Sequence, residues 1–254
     1  MEQSILITGG SSGLGAALAL EYAAKGVHLA LSGRDSGRLD AVAALCTDKG
    51  ATVETRLVHV TDKTAMQEWI ASVDESYPLD LIIANAGVTG ETVFGEDDGD
   101  ENRKARALFD INVTGVFNTV HPVLNAMRHR GRGQIAIMSS LAGFRGLPSA
   151  PAYCASKAAV RSYGEGLRGA LRDDGVGVSV ICPGYVKSRM TDANNFPMPL
   201  LMEADRAARI IRKGLDRNRG RIAFPFAMYA MVWMLQTLPP GLLDRALSKL
   251  PRKE

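Results

Sequence analysis

Cysteine is scarce in this chain. Three stand among 254 residues, Cys46, Cys154 and Cys182, and no two have C-x-x-C spacing. An odd, scattered set builds no disulfide framework and fits a reducing, cytoplasmic setting. Histidine is sparse too: His28, His59, His121 and His129 fall at no metal-ligand spacing, so no metal site is expected. The formal net charge of +3 is too small to argue for nucleic acid as a partner. The chain runs straight into a strand-like segment, without the basic and apolar regions of a signal peptide. Residues 222–235 carry no charge over 14 positions. That is short of the about 20 residues that a simple transmembrane helix needs. No internal repeat is visible.

What is present reads as one globular unit over residues 1–254. Hydrophobic residues make up 46% and charged residues 22%, ordinary values for a protein with a real core. Short apolar runs at 4–8, 27–32, 52–58, 79–84, 134–139 and 176–182 predict strands. Several are apolar on both faces, as parallel strands covered by helices should be. Helical patterns at 15–25, 36–48, 63–76, 102–130 and 152–173 separate them. The alternation predicts βαβ crossovers and a doubly wound α/β sheet. The acidic stretch 91–101 reads as a solvated loop.

Glycine is placed with purpose. The first strand ends in Thr8-Gly9-Gly10-Ser11-Ser12-Gly13-Leu14-Gly15, and a helix pattern follows. Gly9, Gly13 and Gly15 let the backbone turn tightly and let a pyrophosphate approach peptide N–H groups at a helix start. A P-loop would need Gly-Lys-Ser/Thr here, and that lysine is absent. The second strand ends at Gly33-Arg34-Asp35. A carboxylate at the tip would repel a ribose 2′-phosphate, whereas a guanidinium can pair with one. Arg34 therefore points to NADP(H) ahead of NAD(H). A solvent-facing Arg34, or Asp35 reaching the ribose, would be the bland readings.

Tyr153 and Lys157 are i and i+4 on one helical face. An adjacent ammonium favours the phenolate, which would make Tyr153 a usable general acid and base. Upstream, Ser139-Ser140 ends a buried strand, facing the crevice where open α/β sheets bind ligands. A hydroxyl there can hold a carbonyl oxygen.

These motifs resemble the short-chain dehydrogenase/reductase family in order and spacing, from residue 4 to about 224. They are the glycine loop, Asn85-Ala86-Gly87, the Ser140, Tyr153 and Lys157 set, and Pro183-Gly184. The separation of 13 residues between Ser140 and Tyr153 selects Ser140 over Ser139. The resemblance implies a single doubly wound Rossmann-fold domain, a parallel sheet with helices on both faces. It implies an oxidoreductase moving a hydride between NADP(H) and a carbonyl or alcohol group. Tyr153 would move the proton, and Lys157 would lower the tyrosine pKa and bind the nicotinamide ribose. Ser140 would orient the carbonyl, and Asn112 would complete a relay to water. Gly9, Ser12, Gly13, Leu14 and Gly15 would line the pyrophosphate. Val60, Asn85 and Gly87 would lie along the adenosine side. Main-chain groups at 183–186, from Pro183 and Gly184 to Val186, would face the nicotinamide amide, with Ser188 following. Three departures stand out: His59 where the family often has Asp, Ser188 for the usual threonine or serine after the turn, and no basic residue before Gly13.

Residues 186–202 fall where the family places a substrate lid. Met190, Phe196, Met198, Leu200, Leu201 and Met202 there predict an apolar substrate, with Leu141, Phe144 and Leu147 as the facing wall. Small residues from Ala155 to Ala170 predict a homodimer or homotetramer through paired helices. Residues 203–254 hold 11 basic and 5 acidic side chains, a net of +6 against −3 for the remainder. The segment 222–254 therefore reads as an apolar and basic extension. It is expected to pack on protein first, with peripheral contact to an anionic membrane second. A non-catalytic dinucleotide sensor and a membrane-surface scaffold are the competing functions. The intact Ser140, Tyr153 and Lys157 argue against the sensor, and liposome sedimentation would separate the scaffold.

Overall fold

The computed structural model describes residues 3–89, 100–192, 196–239 and 241. Among them, seven strands form one parallel sheet: β1 (Gln3–Thr8), β2 (Val27–Gly33), β3 (Thr52–Leu57), β4 (Leu81–Ala84), β5 (Gly133–Met138), β6 (Val176–Pro183) and β7 (Arg221–Phe224). Their spatial order is β3-β2-β1-β4-β5-β6-β7. The helices are α1 (Gly13–Tyr22), α2 (Ser36–Asp48), α3 (Lys63–Ser76), α4 (Glu101–Phe109), α5 (Gly115–Arg130), α6 (Pro151–Ala170), α7 (Arg189–Asp192), α8 (Ala204–Leu215) and α9 (Phe226–Gln236).

Strand alternation sends neighbouring residues to opposite cores. Ile5 and Ile7 pack with Leu18, Leu39 and Ile211 on one face. Leu6 packs with Met66, Ile70, Val120 and Val160 on the other. Both faces being covered explains the continuous apolar runs. Aspartates start several helices: Asp35, Asp62 and Asp100 accept from the backbone N–H three residues on, at 2.9, 3.0 and 3.0 Å. Gly131, at φ +64, ends α5 in the left-handed conformation.

Strand β1 lies between β2 and β4, so the chain reverses its direction of winding there. Ligand crevices open at the carboxyl ends of strands at such a switch point. The glycine loop after β1, the Asn85 loop after β4 and the Ser140 turn after β5 all lie at that edge.

One expectation is corrected. The helix pattern at 102–130 is not one regular helix. A π-helical turn, Asp110–Thr114, separates α4 from α5 and carries the fully buried Asn112. The uncharged run at 222–235 divides between two elements. It begins inside β7, which pairs Ile181 with Ile222, and α9 starts only after Pro225. Four residues led by an arginine are too few for a periodicity signal. The acidic loop at 91–99 and the tail beyond 241 lie outside the described residues.

Candidate active site

The loop after β1 is held by backbone contacts that exclude side chains. Gly9 has φ +68. A Cβ on Gly15 would stand 2.2 Å from the Gly9 carbonyl oxygen and 2.5 Å from Asn85 Nδ2, so helix α1 starts pressed against the loop. The Asn85 amide donates to the Thr8 and Gly9 carbonyls at 2.9 and 3.2 Å. Thr8 Oγ1 accepts from the N–H groups of Asn85 and Ala86 at 3.1 and 3.2 Å. Asn85, expected beside a ribose, thus clamps the loop itself. Thr8 is a second clamp, at a position to which the sequence motif assigns no role. Ser12 precedes α1 and its hydroxyl makes no capping bond. Gly13 has φ +54, and a Cβ there would come within 3.0 Å of Ser188 Cβ. The segment after β6 therefore closes over the loop. Leu14 packs partly into the core beneath.

Arg34 is exposed at the tip of β2 and pairs with none of the described residues. Asp35 is engaged elsewhere. It caps α2 and forms an ion pair with Arg38 at 3.0 Å. His59 stands across the strand tips, with Nδ1 2.6 Å from Thr61 Oγ1. Partial desolvation, and then the charge of Arg34, hold the imidazole below its ordinary pKa, so it stays neutral near pH 7. Val60 is buried, and its carbonyl accepts from Asn118 Nδ2 at 2.9 Å.

The four residues expected to carry the chemistry gather at the ends of β4, β5 and α6. Asn112 is locked: Oδ1 accepts from the Val88 N–H at 2.8 Å, and Nδ2 donates to the Val88 carbonyl at 2.9 Å and Ser156 Oγ at 3.1 Å. Ser156 in turn donates to the Tyr153 carbonyl at 2.8 Å. This link joins Asn112 to the tyrosine's backbone. Ser156 lies between Tyr153 and Lys157 in the chain, yet nothing in the spacing marks it out. A Cβ on Gly87 would stand 3.1 Å from Asn112 Oδ1 and 3.2 Å from Lys157 Nζ, so both polar groups border the same gap. Ser140 Oγ accepts from the Ala142 N–H at 3.1 Å and its hydroxyl donates to the Pro183 carbonyl at 3.5 Å, close enough to the Tyr153 phenol to act on its titration.

Electrostatically the pair differs from expectation. Burial pushes the Tyr153 phenol up to about 12, and the nearby Ser140 hydroxyl pulls against that shift. Burial also pushes Lys157 down to about 8. The ammonium donates to the Met138 carbonyl at 3.1 Å, so its charge is directed to the strand end. Desolvation, which sequence spacing does not report, dominates both groups.

Beyond β6, the Gly184 N–H donates to the Phe224 carbonyl at 2.7 Å, and Pro183 is buried. Val186 bridges to Met202, which fixes both ends of the expected lid, and residues 193–195 within it lie outside the described residues. Ser188 and Thr191 lock the turn, the Ser188 N–H donating to Thr191 Oγ1 at 2.8 Å. Tyr185 stands edge-on to Phe196, with ring centroids 6.0 Å apart. Tyr185 is close enough to Tyr153 to act on its titration. Phe144, expected on the substrate wall, packs instead beneath the site with Leu141, Val180, Cys182 and Met228. Among the described residues, no cluster could hold a metal ion and no helix is long and apolar enough to cross a membrane.

A parallel sheet with its crevice at the switch point, a glycine loop, and Ser140, Tyr153 and Lys157 gathered at one edge define a dinucleotide-dependent oxidoreductase. The chain belongs to the short chain dehydrogenase family, whose sequence profile matches residues 3–197. It is an NAD(P)-dependent enzyme of the kind that acts on alcohol and carbonyl groups. An uncharacterized oxidoreductase of Myxococcus xanthus is 42% identical over 249 residues, covering 98% of this chain and 97% of the relative. An acetoacetyl-CoA reductase of Shinella zoogloeoides is 32% identical, over 83% of this chain and 90% of its own. A solved short-chain dehydrogenase from Sphingobium yanoikuyae, in complex with NADPH, superposes with a TM-score of 0.80 at 26% identity. The match covers 99% of this chain and 98% of that one.

Proposed function

We propose that this protein reduces the carbonyl group of a small, largely apolar substrate at the expense of NADPH. The observation that carries the reading is the gathering of Ser140, Tyr153 and Lys157 at one edge of the sheet, around a Tyr153 phenol that burial keeps protonated. A phenol that holds its proton through neutral pH suits proton donation to a carbonyl oxygen. Ser140 orients that oxygen. Lys157 holds the ribose side, and Asn112, bordering the same gap at Gly87, positions water for proton return.

Three features of this chain fit the dinucleotide. A Cβ at Gly15 would fill the cradle, the Ser12 hydroxyl is unused in capping, and Arg34 is exposed without a partner among the described residues. Gly9, Ser12, Gly13, Leu14 and Gly15 would hold the pyrophosphate, and Ser188 would close over it. Arg34 would take the 2′-phosphate, which ranks NADP(H) above NAD(H). Val60, Asn85 and Gly87 would flank the adenosine half, and 183–186 the nicotinamide. When bound, the dinucleotide supplies the hydride.

The substrate side would be formed by Tyr185, Phe196 and Met198, a mainly apolar set with one phenol. The relative named acetoacetyl-CoA reductase makes a 3-oxoacyl thioester a sensible member of any test panel. The test is a set of ketones, aldehydes and 3-oxoacyl thioesters, with loss of reduced-nicotinamide absorbance followed for NADPH and NADH. Turnover with NADPH is expected. A protein that binds NADPH yet reduces nothing would leave the sensor in its place.

The same reading includes a homo-oligomer. Ala155, Ser162, Gly166, Gly169 and Ala170 are exposed along α6, a smooth face for a second copy. On α9, Phe226 is 78% exposed, with Met231, Trp233 and Met234 beside it. We assign that face to a neighbouring subunit ahead of an anionic membrane. Light scattering and liposome co-sedimentation separate the two. The cytoplasmic location stays part of this proposal.

A further inference from the structure

Phe144 is held in an unusual way for a buried phenylalanine. The Arg161 guanidinium lies 4.6 Å from its ring centroid and the Arg221 guanidinium 5.3 Å from it. Both arginines bind one carboxylate: Glu165 accepts from Arg161 at 3.2 Å and from Arg221 at 2.5 Å. Arg221 also donates to Tyr229 Oη at 3.1 Å, and the Tyr229 ring meets Phe144 edge-on at 5.5 Å. None of the three charged side chains is more than about a third exposed. Arg221 Nε is buried without a hydrogen-bond partner.

Two cations and one anion around a single ring are a poor device for burial alone. Apolar side chains of similar volume would cover Phe144 without the desolvation cost. Charged groups in a fixed fork instead restrict where the ring can sit. The ring's position matters because of what precedes it. Phe144 follows the turn Leu141–Gly143, which starts at Ser140. The Gly143 N–H donates to the Ser140 carbonyl at 3.0 Å, and Arg161 Nε donates to the Gly143 carbonyl at 3.2 Å. A Cβ on Gly143 would stand 2.8 Å from the Lys157 carbonyl oxygen, so the turn lies directly on the α6 backbone. Any shift of Phe144 is therefore transmitted to Ser140 with little slack.

We propose that Arg161, Glu165 and Arg221 are positioning residues that hold Phe144, and through it the Ser140 hydroxyl, against Tyr153. The last strand of the sheet, through Arg221, and α9, through Tyr229, thereby help set the catalytic geometry. None of the three touches the reacting atoms. The inference rests on the reductase reading of the same site.

The test uses the full chain with Glu165→Gln and, separately, Arg221→Lys. Glu165→Gln removes the shared carboxylate at a partly exposed site and leaves β7 intact. Both variants are expected to bind NADPH as wild type does, while kcat falls by about 10- to 100-fold, the scale of a small misplacement. The Ser140 hydroxyl holds the Tyr153 pKa down, so loosening it moves the ascending, acidic limb of alcohol oxidation, where Tyr153 must lose its proton, to higher pH in both variants. Glu165→Asp is expected to recover part of kcat and to return the profile toward wild type. Folded variants with wild-type kcat and pH profile would overturn the proposal, and so would a loss of kcat with an unmoved profile. A wild type inert across the carbonyl panel would overturn the reductase reading and this inference with it, an outcome visible before any variant is made.

Discussion

The Lys157 ammonium nitrogen lies 5.8 Å from the centroid of the Tyr153 ring and donates its hydrogen bond to the Met138 carbonyl. The two side chains sit one turn apart on α6, and burial drives both toward their neutral forms. Tyr153 is thereby a protonated donor through the neutral range, and Lys157 a cation that is lost from about pH 8 upward.

Replacing Tyr153 with phenylalanine keeps the ring's packing and removes the proton donor. Turnover is expected to fall by about 10²–10⁴-fold with NADPH affinity nearly unchanged. A variant that retains a tenth of wild-type kcat removes Tyr153 from the acid role.

Lys157 places its charge at a 4% exposed position. Its folded pKa of about 8 is below the ordinary 10.5, so between those values the unfolded chain binds more protons. The lysine's unfavourable contribution is therefore complete below about pH 8 and fades as pH rises toward its ordinary value. Lys157→Met is expected to raise Tm at pH 7, by about 2–4 °C for each kcal/mol relieved, while abolishing turnover. The Tm advantage should shrink between pH 8 and 10.5. Scanning calorimetry across that range decides it, and a destabilised variant at pH 7 contradicts the reading.

Arg34→Asp removes an unpaired cation and adds a repelling carboxylate at the β2 tip. NADPH binding should weaken by at least tenfold while NADH binding holds or improves. Fluorescence titration of both coenzymes gives the answer. A wild type that already prefers NADH assigns Arg34 to solvent.

At Gly15 the added methyl group of alanine meets the Gly9 carbonyl oxygen at 2.2 Å. The loop must open or α1 must move. Gly15→Ala is expected to lower Tm and to cost most of the affinity for either coenzyme, because the cradle is made of backbone. Unchanged binding would mean that the dinucleotide does not use this loop.

Gly166 faces open space, and a Cβ added there would meet no atom within 4 Å. Gly166→Arg should leave a monomer's fold and Tm intact but obstruct a second α6 packed against it. Light scattering is expected to show wild type as an oligomer and the variant as a smaller species. Identical masses would move the subunit contact elsewhere.

Much of this arrangement was legible in the residues because local rules agree with the fold. The strands at Ile5–Ile7 and Ile82–Ile83 are apolar on both faces because helices cover both. Spacing alone put Tyr153 and Lys157 on one face, and glycine positions marked the loop. What stayed hidden depends on distant contacts. The clamp of Asn85 on Thr8 spans 77 residues of sequence. The Phe144 cage draws on α6, β7 and α9, so no window of sequence contains it. Strand β7 was too short to announce itself, and the direction of the Tyr153 shift depends on desolvation by the assembled core.

The π-helical turn at Asp110–Thr114 has a bearing on how this chain tolerates change in length. Such a turn is a helix with one residue to spare. Upstream, Leu108 faces the core, and downstream Val116 and Val120 do so as well. Asn112, between them, is turned to Val88 and Ser156. Losing one residue within the turn would restore a regular α-helix with α4 and α5 still in phase, because the widened turn absorbs its extra residue locally. The apolar stripe of α5 would survive, but the widened turn that carries Asn112 to Val88 and Ser156 would be gone. The segment is a vernier between packing and chemistry, and its length is as much a part of the site as any side chain.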